Sequence, residues 1–320
     1  MSTNEFVDSA PESWTGRDDG PGPEHLRWHH VVRPLDAETE PGACAFVGFR
    51  CDEGVRRNQG RPGAAEGPGA LRKALAPMAL ATPLTAHDVG DVAVADAGLE
   101  AGQERLGRVV SELLDRGHFP VVLGGGHEVA FASYLGLAGS RAVRAGARPG
   151  VLNLDAHFDL RPDPVPSSGT PFRQIAECER ARGAEFHYAV LGISQPSNTA
   201  VLFDTADSLG VRYLLDDECA VGNTAAVDTF VDDFLATVDL VHLTIDLDVM
   251  PASVAPGVSA PAGYGVPVEM IARVAEKVTR SGKLVLCDVA ELNPSLDIDD
   301  RTARTAARLI HRIVTARAVH

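Results

Sequence analysis

Long apolar segments are absent from this sequence. No uninterrupted apolar run approaches the roughly 18 residues that a membrane-spanning helix needs. The first residues also lack the apolar core of a signal peptide. We therefore expect neither a membrane span nor an export signal, and no membrane partner.

Closely spaced cysteine pairs are absent as well. The chain has five cysteines, an odd number, and no two of them form a Cys-x-x-Cys pair. This pattern argues against a disulfide framework and a cysteine-rich structural zinc site, and it is typical of proteins in a reducing compartment. We predict a cytoplasmic location.

Positive charge is scarce. The chain has 29 lysines and arginines against 44 aspartates and glutamates, which gives a formal net charge of −15. This excess of negative charge argues against a nucleic-acid-binding protein, which needs a basic surface. A small anionic substrate is still compatible with it, provided that a few arginines gather at one place.

The apolar residues follow two alternating patterns. Short apolar runs typical of buried strands, such as residues 119–123 and 239–248, are separated by segments with helical periodicity, such as residues 99–116. Strands that alternate with helices predict an α/β fold with a mostly parallel sheet that is covered on both sides. No repeat or interior linker divides the chain. We predict one domain over residues 41–320, preceded by a partly ordered arm at residues 1–40.

Residues 151–159 combine a buried strand with a row of potential ligands. Asp155, His157 and Asp159 follow an apolar run at i, i+2 and i+4, and residues two apart share a face in an extended segment. Because buried charge needs a partner, the pattern predicts a divalent cation such as manganese, iron or zinc. The alternative is a polar loop that merely follows a strand.

Other predicted strands also end in polar side chains. His127 follows a triple glycine, Asp246 and Asp248 end the longest apolar strand, and Glu291 follows the last strand. Ligands of open α/β sheets bind beyond the carboxyl ends of the strands, so we expect these residues to converge. Two histidines and four aspartates are too many ligands for one ion, and shared carboxylates naturally bridge two.

The triple glycine at residues 124–126 has another interpretation. Glycines between a strand and a helix can cradle a phosphate, but the Lys-Ser/Thr of a P-loop and a GxGxxG continuation are both absent. A nucleotide site is therefore kept only as an alternative, as is a purely structural role for His127.

In combination, these motifs resemble those of the ureohydrolase (arginase/agmatinase) family. The matching segments are Gly124-Gly125-Gly126-His127, Asp155-Ala156-His157-Phe158-Asp159 and Thr244-Ile245-Asp246-Leu247-Asp248. The resemblance implies an arginase-like three-layer αβα sandwich with a sheet of about eight strands. It also implies two Mn²⁺ ions per chain. The ligands would be His127, Asp155, Asp159 and Asp246 for one ion, and Asp155, His157, Asp246 and Asp248 for the other.

Within this family, the chain resembles the formimidoylglutamase branch more than the arginases. Ser168 stands where arginases carry a catalytic histidine before a Gly-x-Pro, and Arg161 replaces an asparagine. These changes trade acceptors for donors, which suits a more anionic substrate. The loop at residues 54–63 is either a solvated turn or a lid whose arginines bind a carboxylate. The substrate-binding residues that we predict are Arg161 first, then Arg57, Arg61 and Arg173, with Gln195, Ser197 and Asn198.

The resemblance implies hydrolysis of N-formimidoyl-L-glutamate, a small anionic amidine, to L-glutamate and formamide in histidine degradation. Asp159 and Glu291 would be the catalytic residues, Asp159 passing a proton to the departing amine and Glu291 pairing with the amidine. The alternatives are another hydrolase of the family (agmatinase, guanidinobutyrase or arginase) and a non-catalytic metal-dependent binding protein. The resemblance also implies a homo-oligomer, either a trimer or a hexamer.

Overall fold

One parallel sheet forms the middle layer of the molecule. The computed structural model describes residues 7–11, 14–36 and 38–318. The strands in this part of the chain are β1 Val32–Pro34, β2 Cys44–Arg50, β3 Ala86–Ala93, β4 Phe119–Leu123, β5 Pro149–Leu154, β6 Tyr188–Ile193, β7 Arg212–Leu215, β8 Leu240–Asp246 and β9 Leu284–Ala290. Their order across the sheet is β1-β3-β2-β4-β9-β8-β5-β6-β7, and all neighbours are parallel.

Helices cover both faces of the sheet. The α-helices in the described residues are α1 Trp28–Val31, α2 Glu53–Arg57, α3 Gly67–Leu75, α4 Leu99–Asp115, α5 Val129–Gly139, α6 Arg141–Arg144, α7 Pro171–Arg182, α8 Ala200–Ser208, α9 Thr224–Thr237, α10 Val268–Arg280 and α11 Arg301–Ala318. On one face α4 packs on α5 and α5 on α7, while on the other α3 packs on α11, α11 on α10 and α10 on α9. The predicted three-layer αβα class is confirmed. None of these helices is long and apolar enough to cross a membrane.

Successive side chains of a strand point alternately into two apolar cores, one on each face of the sheet. In β2, Phe46 belongs to the core beneath α3 and α11, while its neighbour Val47 belongs to the core beneath α4 and α5. Both side chains are completely buried. A central strand that is buried on both faces reads as a continuous apolar run, which is why β2 and β4 could be predicted from sequence.

Two strands were not predicted. The first is β1, which falls within the arm predicted at residues 1–40; residues 1–6, 12, 13 and 37 of that arm lie outside the described residues. The second is β3, which carries His87, Asp88 and Asp91. These charges interrupt the apolar pattern that identifies a buried strand. Within the described residues, the sheet therefore has nine strands where about eight were expected.

The two carboxylates of β3 are paired with one arginine of the protein. The guanidinium group of Arg72 in α3 donates to both carboxylate oxygens of Asp88, at 2.8 and 2.9 Å, and to Asp91 at 2.6 Å. The indole N–H of Trp14 donates to Asp88 at 2.7 Å. All three charged side chains are at least 95% buried. We call Arg72, Asp88 and Asp91 the ion-pair cluster.

Candidate metal centre and active site

Four adjacent strands in the middle of the sheet, β4, β9, β8 and β5, deliver the predicted site residues to one place. His127 follows β4, Glu291 follows β9, Asp246 ends β8 and Asp155 follows β5. Parallel strands end at the same edge of a sheet, where a cavity of 440 Å³ opens. It is lined by Val55, Asn58, Gln59, Gly60, Arg61, His127, His157, Asp159, Arg161, Ser168, Ser197, Asn198, Leu202, Asp246, Asp248, Ser259, Ala260 and Glu291.

His127 is surrounded by carboxylates. Its Nδ1 atom lies 3.0 Å from Oδ2 of Asp155, 2.9 Å from Oδ2 of Asp159 and 3.1 Å from Oδ2 of Asp246. Four ligands that each hold a divalent ion at about 2.0–2.2 Å are themselves about 3 Å apart. The arrangement therefore has the spacing of a metal coordination shell, and His127, Asp155 and Asp159 form one candidate ligand group.

A second ligand group shares a residue with the first. Nδ1 of His157 lies 3.5 Å from Oδ1 of Asp155 and 3.1 Å from Oδ2 of Asp248. Asp155 thus turns one oxygen to each group, as a bridging carboxylate would. Asp246 turns Oδ2 towards His127, while its Oδ1 accepts the N–H of Asp248 at 2.9 Å. We call the five residues of these two groups, together with Asp246, the ligand cluster: His127, Asp155, His157, Asp159, Asp246 and Asp248.

The ligand cluster carries an excess of buried negative charge. Burial and the nearby carboxylates of Asp248 and Asp155 raise the pKa of Asp246 well above its usual value. Burial, together with Asp155, raises the pKa of Asp159 to about 6. Burial acts to lower the pKa of His127, but its hydrogen bonds to three carboxylates outweigh this and raise the pKa well above the ordinary value.

These shifts have one physical meaning, because a proton on His127 and a metal ion compete for the same position between the carboxylates. Oδ1 of Asp248 is buried without any hydrogen-bond partner among the described residues, so it too has a free lone pair. Nitrogen and carboxylate oxygen donors suit manganese and neighbouring divalent ions. The residues present therefore fit the metal centre that the sequence predicts.

Two site residues adopt an unusual backbone conformation. Asp159 has a φ of 49° and Glu291 a φ of 71°, in the left-handed region that residues other than glycine rarely enter. Such conformations cluster at functional sites, where the surrounding structure enforces them. Glu291 directly follows β9, and both Asp159 and Glu291 line the cavity.

Glu291 lies at the inner wall of the cavity, where it is 6% exposed. One oxygen accepts the main-chain N–H of His127 at 2.9 Å. Burial, followed by the carboxylates of Glu128 and Asp248, raises the pKa of Glu291 to about 8. A cationic group bound beside Glu291 would therefore stabilise its charged form.

The triple glycine allows neighbouring main-chain segments to approach closely. A Cβ atom on Gly125 would lie 1.7 Å from the carbonyl oxygen of Cys51, and one on Gly124 would lie 2.6 Å from that of Val289. The main-chain N–H groups of Gly124 and Gly126, which a phosphate would need, already donate to the carbonyl oxygens of Val289 and Cys51. The alternative of a nucleotide cradle at residues 124–126 is therefore not supported.

The structure brings four of the seven predicted substrate-binding residues to the cavity. Arg61, Arg161, Ser197 and Asn198 line it, whereas Arg57, Arg173 and Gln195 are not among its lining residues. Of the four, only Arg161 is a cation without an ion-pair or hydrogen-bond partner for its side chain among the described residues. Its side chain lies over Gly169, where a Cβ atom would come within 2.7 Å of Cδ.

The other arginines have their donors in use. Arg57 donates to Glu53 at 2.9 Å and to Glu100 at 2.6 Å, and Arg173 donates to Glu177 one turn along α7. These contacts explain why neither reaches the cavity. Arg61 does line the cavity, but it donates to the carbonyl oxygens of Ser259 and Val258. The segment at residues 54–63 begins in helix α2. The hydrogen bonds of Arg57 and Arg61 hold it against neighbouring segments, so it is not a freely solvated turn.

Asn198 uses its amide on the main chain that carries the ligands. Its Oδ1 accepts the N–H of Phe158 at 3.1 Å, and its Nδ2 donates to the carbonyl oxygen of Ala156 at 2.9 Å. These two residues flank His157 within the ligand motif. The side chain predicted to bind substrate therefore holds the main chain on both sides of a predicted metal ligand.

Three residues around the ligand cluster were missed at the sequence level. Thr244 and Asp288 lie behind His127 and hydrogen-bond to each other, and Asn153 donates to Oδ2 of Asp155 at 2.9 Å. A signal for Thr244 was present, because it stands two residues before Asp246 and so shares its face of β8. The partner on β9 could be found only once the strand order was known.

Sequence comparison places the chain in a known family. A model of the arginase family matches residues 42–315. The chain therefore belongs to the arginase family, in agreement with the resemblance read from its motifs.

Individual relatives narrow the branch. The chain is 66% identical over 307 residues to formimidoylglutamase of Rhodococcus opacus strain B4, covering 96% of each protein. It is 65% identical to formimidoylglutamase of Nocardia farcinica strain IFM 10152, covering 94% of this chain and 96% of the relative. Its place within the family is the formimidoylglutamase branch.

Solved structures agree on the fold. Formiminoglutamase of Trypanosoma cruzi with Mn²⁺ superposes with a TM-score of 0.77 at 28% identity, covering 87% of this chain and 94% of that one. Formimidoylglutamase of Bacillus subtilis superposes with a TM-score of 0.81, covering 98% and 96%. At 21% identity this second likeness supports the architecture alone.

Proposed function

We propose that this protein is a hydrolase that converts N-formimidoyl-L-glutamate and water to L-glutamate and formamide, as a step of histidine degradation. We further propose that it holds two manganese ions per chain. Two ligand groups that share Asp155 lie at one cavity, and Arg161, a cation whose side chain has no partner among the described residues, lines the same cavity. This combination is the observation that carries the proposal. The high identity to proteins named formimidoylglutamase supports the same reaction.

The metal ions would be held by the ligand cluster. His127, Asp155, Asp159 and Asp246 would hold one ion, and Asp155, His157, Asp246 and Asp248 the other. When bound, such a pair supplies Lewis acidity that lowers the pKa of water far enough for attack near neutral pH. The remaining steps depend on side chains of the protein.

Glu291 orients the reacting group. Water adds to the formimidoyl carbon while the carboxylate of Glu291 accepts a hydrogen bond from the amidine nitrogen and balances its positive charge. The raised pKa of Glu291 means that the charged carboxylate is costly until a cation lies beside it, so the amidinium is favoured over neutral competitors. The C–N bond to the α-amine then breaks, and the departing nitrogen takes up a proton.

Asp159 is placed to move that proton. A carboxylate at this position can act as a general acid or base, and such assistance is worth about 10²–10⁴-fold. It is 12% exposed and turns Oδ2 to His127, so its other side remains accessible from the cavity. Asp159 would therefore carry the proton from the attacking water to the leaving amine.

Arg161 sets the substrate class. It lines the cavity, and its side chain has no partner within the part of the chain that the structure describes. A guanidinium group pairs with a carboxylate through two parallel hydrogen bonds. Glutamate retains two carboxylates after its amine is blocked by the formimidoyl group. We propose that Arg161 binds one of them, with Arg61 and Ser197 nearby, and assign no direct contact to Arg57, Arg173 or Gln195.

The deciding experiment compares substrates and products. Manganese-loaded protein is incubated in parallel with N-formimidoyl-L-glutamate, L-arginine, agmatine and guanidinobutyrate, and formamide and urea are quantified separately. We expect formamide from the first compound and little urea from the others. Urea as the faster product would favour another hydrolase of the family, and loaded protein without any turnover would favour a binding protein.

The setting of the enzyme is part of the proposal. We propose a cytoplasmic homo-oligomer, a trimer or hexamer, that acts on a small anionic substrate without a nucleic-acid or membrane partner. Five free cysteines support a reducing location. Light scattering coupled to gel filtration measures the assembly, and a monomeric mass at assay concentration would contradict that part of the proposal.

A further inference from the structure

Three side chains that donate hydrogen bonds meet around Gly169. Nδ2 of Asn58 donates to Oγ of Ser168 at 3.1 Å. A Cβ atom on Gly169 would lie 2.7 Å from Cδ of Arg161 and 3.2 Å from Nδ2 of Asn58, so glycine at this position leaves room for both side chains. Asn58, Arg161 and Ser168 all line the cavity. We call these three residues the donor group.

The turn that carries Ser168 is fixed by the residues on either side of it. The N–H of Ser167 donates to Oγ1 of Thr170 at 2.9 Å, and the N–H of Gly169 donates to Oγ of Ser167 at 3.3 Å. The carbonyl oxygen of Gly169 accepts the N–H of Arg161 at 3.0 Å. Ser167 and Thr170 thus use their hydroxyl groups within the turn. The hydroxyl group of Ser168, by contrast, bonds only to Asn58 among the described residues.

The bond between Asn58 and Ser168 leaves a hydrogen available. An amide nitrogen can only donate, so Oγ of Ser168 is the acceptor and the hydroxyl hydrogen can be given to another group. No acceptor in the described part of the chain takes that hydrogen. The pair also has a hydrogen to give if the amide is turned round, because it carries three polar hydrogens and the bond within the pair uses one.

The donor group has one positive charge and no acidic partner. The charged acceptors that line the same cavity are the carboxylates Asp159, Asp246, Asp248 and Glu291, and within the described residues none of them bonds a side chain of the donor group. A group of unused donors in a chain with a net charge of −15 fits an anion. A carboxylate suits it best, because a guanidinium group binds it through two parallel hydrogen bonds and each oxygen can accept a further one.

We propose that Ser168 is a substrate-binding residue that gives its hydroxyl hydrogen to the same carboxylate that Arg161 binds. Asn58 is the positioning residue, because its amide occupies a lone pair of the hydroxyl oxygen and thereby turns the hydroxyl hydrogen towards the substrate. The inference rests on the proposed function and adds two residues to the carboxylate site of that reaction.

The first test removes the hydroxyl group. A hydrogen bond to a charged group contributes about 10–100-fold to binding, so Ser168→Ala should raise KM for N-formimidoyl-L-glutamate by that factor, with kcat and manganese content nearly unchanged. Ser133→Ala is the matched control. Ser133 is a completely buried serine of α5 whose hydroxyl group has no partner among the described residues, and its replacement should leave KM unchanged.

The second test removes the amide of Asn58. Asn58→Leu keeps the size of the side chain but no longer directs the hydroxyl group, and loss of such a neutral hydrogen bond should raise KM by about 2–10-fold. Because Asn58 acts through Ser168, Asn58→Leu should have little further effect when it is combined with Ser168→Ala. Independent effects that multiply in the double variant would overturn the positioning role.

The third test asks whether Ser168 and Arg161 bind one carboxylate. N-Formimidoylglycine has only the carboxylate next to the reacting nitrogen, and N-formimidoyl-4-aminobutanoate has only the distant one. Ser168→Ala should lower kcat/KM for one of these compounds and not for the other, and Arg161→Gln should act on the same compound. Effects of the two variants on different compounds, or of Ser168→Ala on both or neither, would overturn the shared site.

The outcomes separate this inference from the proposed function. Wild-type protein that releases no formamide from N-formimidoyl-L-glutamate would remove the proposed function and, with it, this inference. Full turnover by the wild type with an unchanged KM in Ser168→Ala would overturn the inference alone. A lower kcat at unchanged KM in Ser168→Ala would overturn it too, since binding would not be the role of the hydroxyl group. If Asn58→Leu does not fold, Ser168→Ala and the two analogues decide.

Discussion

Two clusters of buried carboxylates stand out in the described residues, and they differ in whether the protein supplies a cation. In the ion-pair cluster at the outer part of the sheet, Arg72 donates to both Asp88 and Asp91. In the ligand cluster at the centre, four aspartates face only imidazole rings, an asparagine amide and main-chain N–H groups. The first cluster holds a cation of the protein that bonds both carboxylates, and the second needs a cation from solution. A buried charge indicates a functional site where the protein itself supplies no opposite charge.

The largest expected effect comes from breaking the ligand cluster. Asp246→Asn should abolish occupancy by two ions and lower kcat by at least about 100-fold, since outer partners alone are worth about 10–100-fold in metal affinity or activity. Metal-free Asp246→Asn should be at least as stable as the metal-free wild type, because one of several crowded carboxylates is gone. Manganese per chain, kcat and urea denaturation measure these effects. A variant with two ions and full turnover would refute the role of Asp246.

Breaking the ion-pair cluster should give the reverse pattern. Arg72→Met leaves Asp88 and Asp91 buried without a cation, which costs about 3–5 kcal/mol of unfolding free energy. Manganese content and KM of the folded fraction should stay near wild type, since the cluster is remote from the cavity. Urea denaturation gives the free energy. A loss below about 1 kcal/mol would mean that water replaces the guanidinium group.

Removing the metal tests the claim that the ligand cluster is electrically incomplete. Chelation should lower thermal stability, and manganese at 100 times its dissociation constant should restore about 2.7 kcal/mol per site. Because the pKa of His127 is raised, protons compete with the ion, so manganese affinity should fall as pH is lowered from 8 to 6. Calorimetry with and without manganese at several pH values measures both effects. Equal stability with and without metal would contradict this comparison.

The smallest effect concerns Arg161, whose side chain has no partner among the described residues, in contrast to Arg72. Arg161→Gln should raise KM for N-formimidoyl-L-glutamate by about 10–100-fold with little change in kcat, since a hydrogen bond to a charged group is worth about 1.5–3 kcal/mol. Arg173→Gln is the matched control, because Arg173 is paired with Glu177 on α7. Steady-state kinetics of both variants is the measurement. Equal KM changes in the two would remove Arg161 from substrate binding.

Local patterns explain what could be predicted. The ligand row of Asp155, His157 and Asp159 could be recognised from the sequence, because strand periodicity places residues two apart on one face whatever the rest of the fold is. Strand β4, Phe119–Leu123, was delimited correctly since both its faces are apolar. The fold class and the grouping of the metal ligands follow from such patterns, combined with the rule that parallel strands end at one edge.

Contacts between distant segments explain what could not. Strand β3 was missed because the charges of Asp88 and Asp91 make sense only once Arg72, some 16 residues away, is known to reach them. Helix α7, which begins at Pro171, was missed because its first turn continues a loop rich in proline and serine. Arg57 was a reasonable substrate ligand until the structure paired it with Glu53 and Glu100.

The two outermost strands have a consequence for self-association. Strand β1 has three residues, Val32–Pro34, and β7 has four, Arg212–Leu215. A sheet margin is a template on which foreign strands can grow, and short strands, charged side chains and proline all limit such growth. Pro34 lacks the N–H that an added strand would need, and Arg33 and Arg212 add charge. Both margins of the sheet therefore disfavour the addition of another strand, and we expect any assembly of copies to use helical or loop surfaces instead.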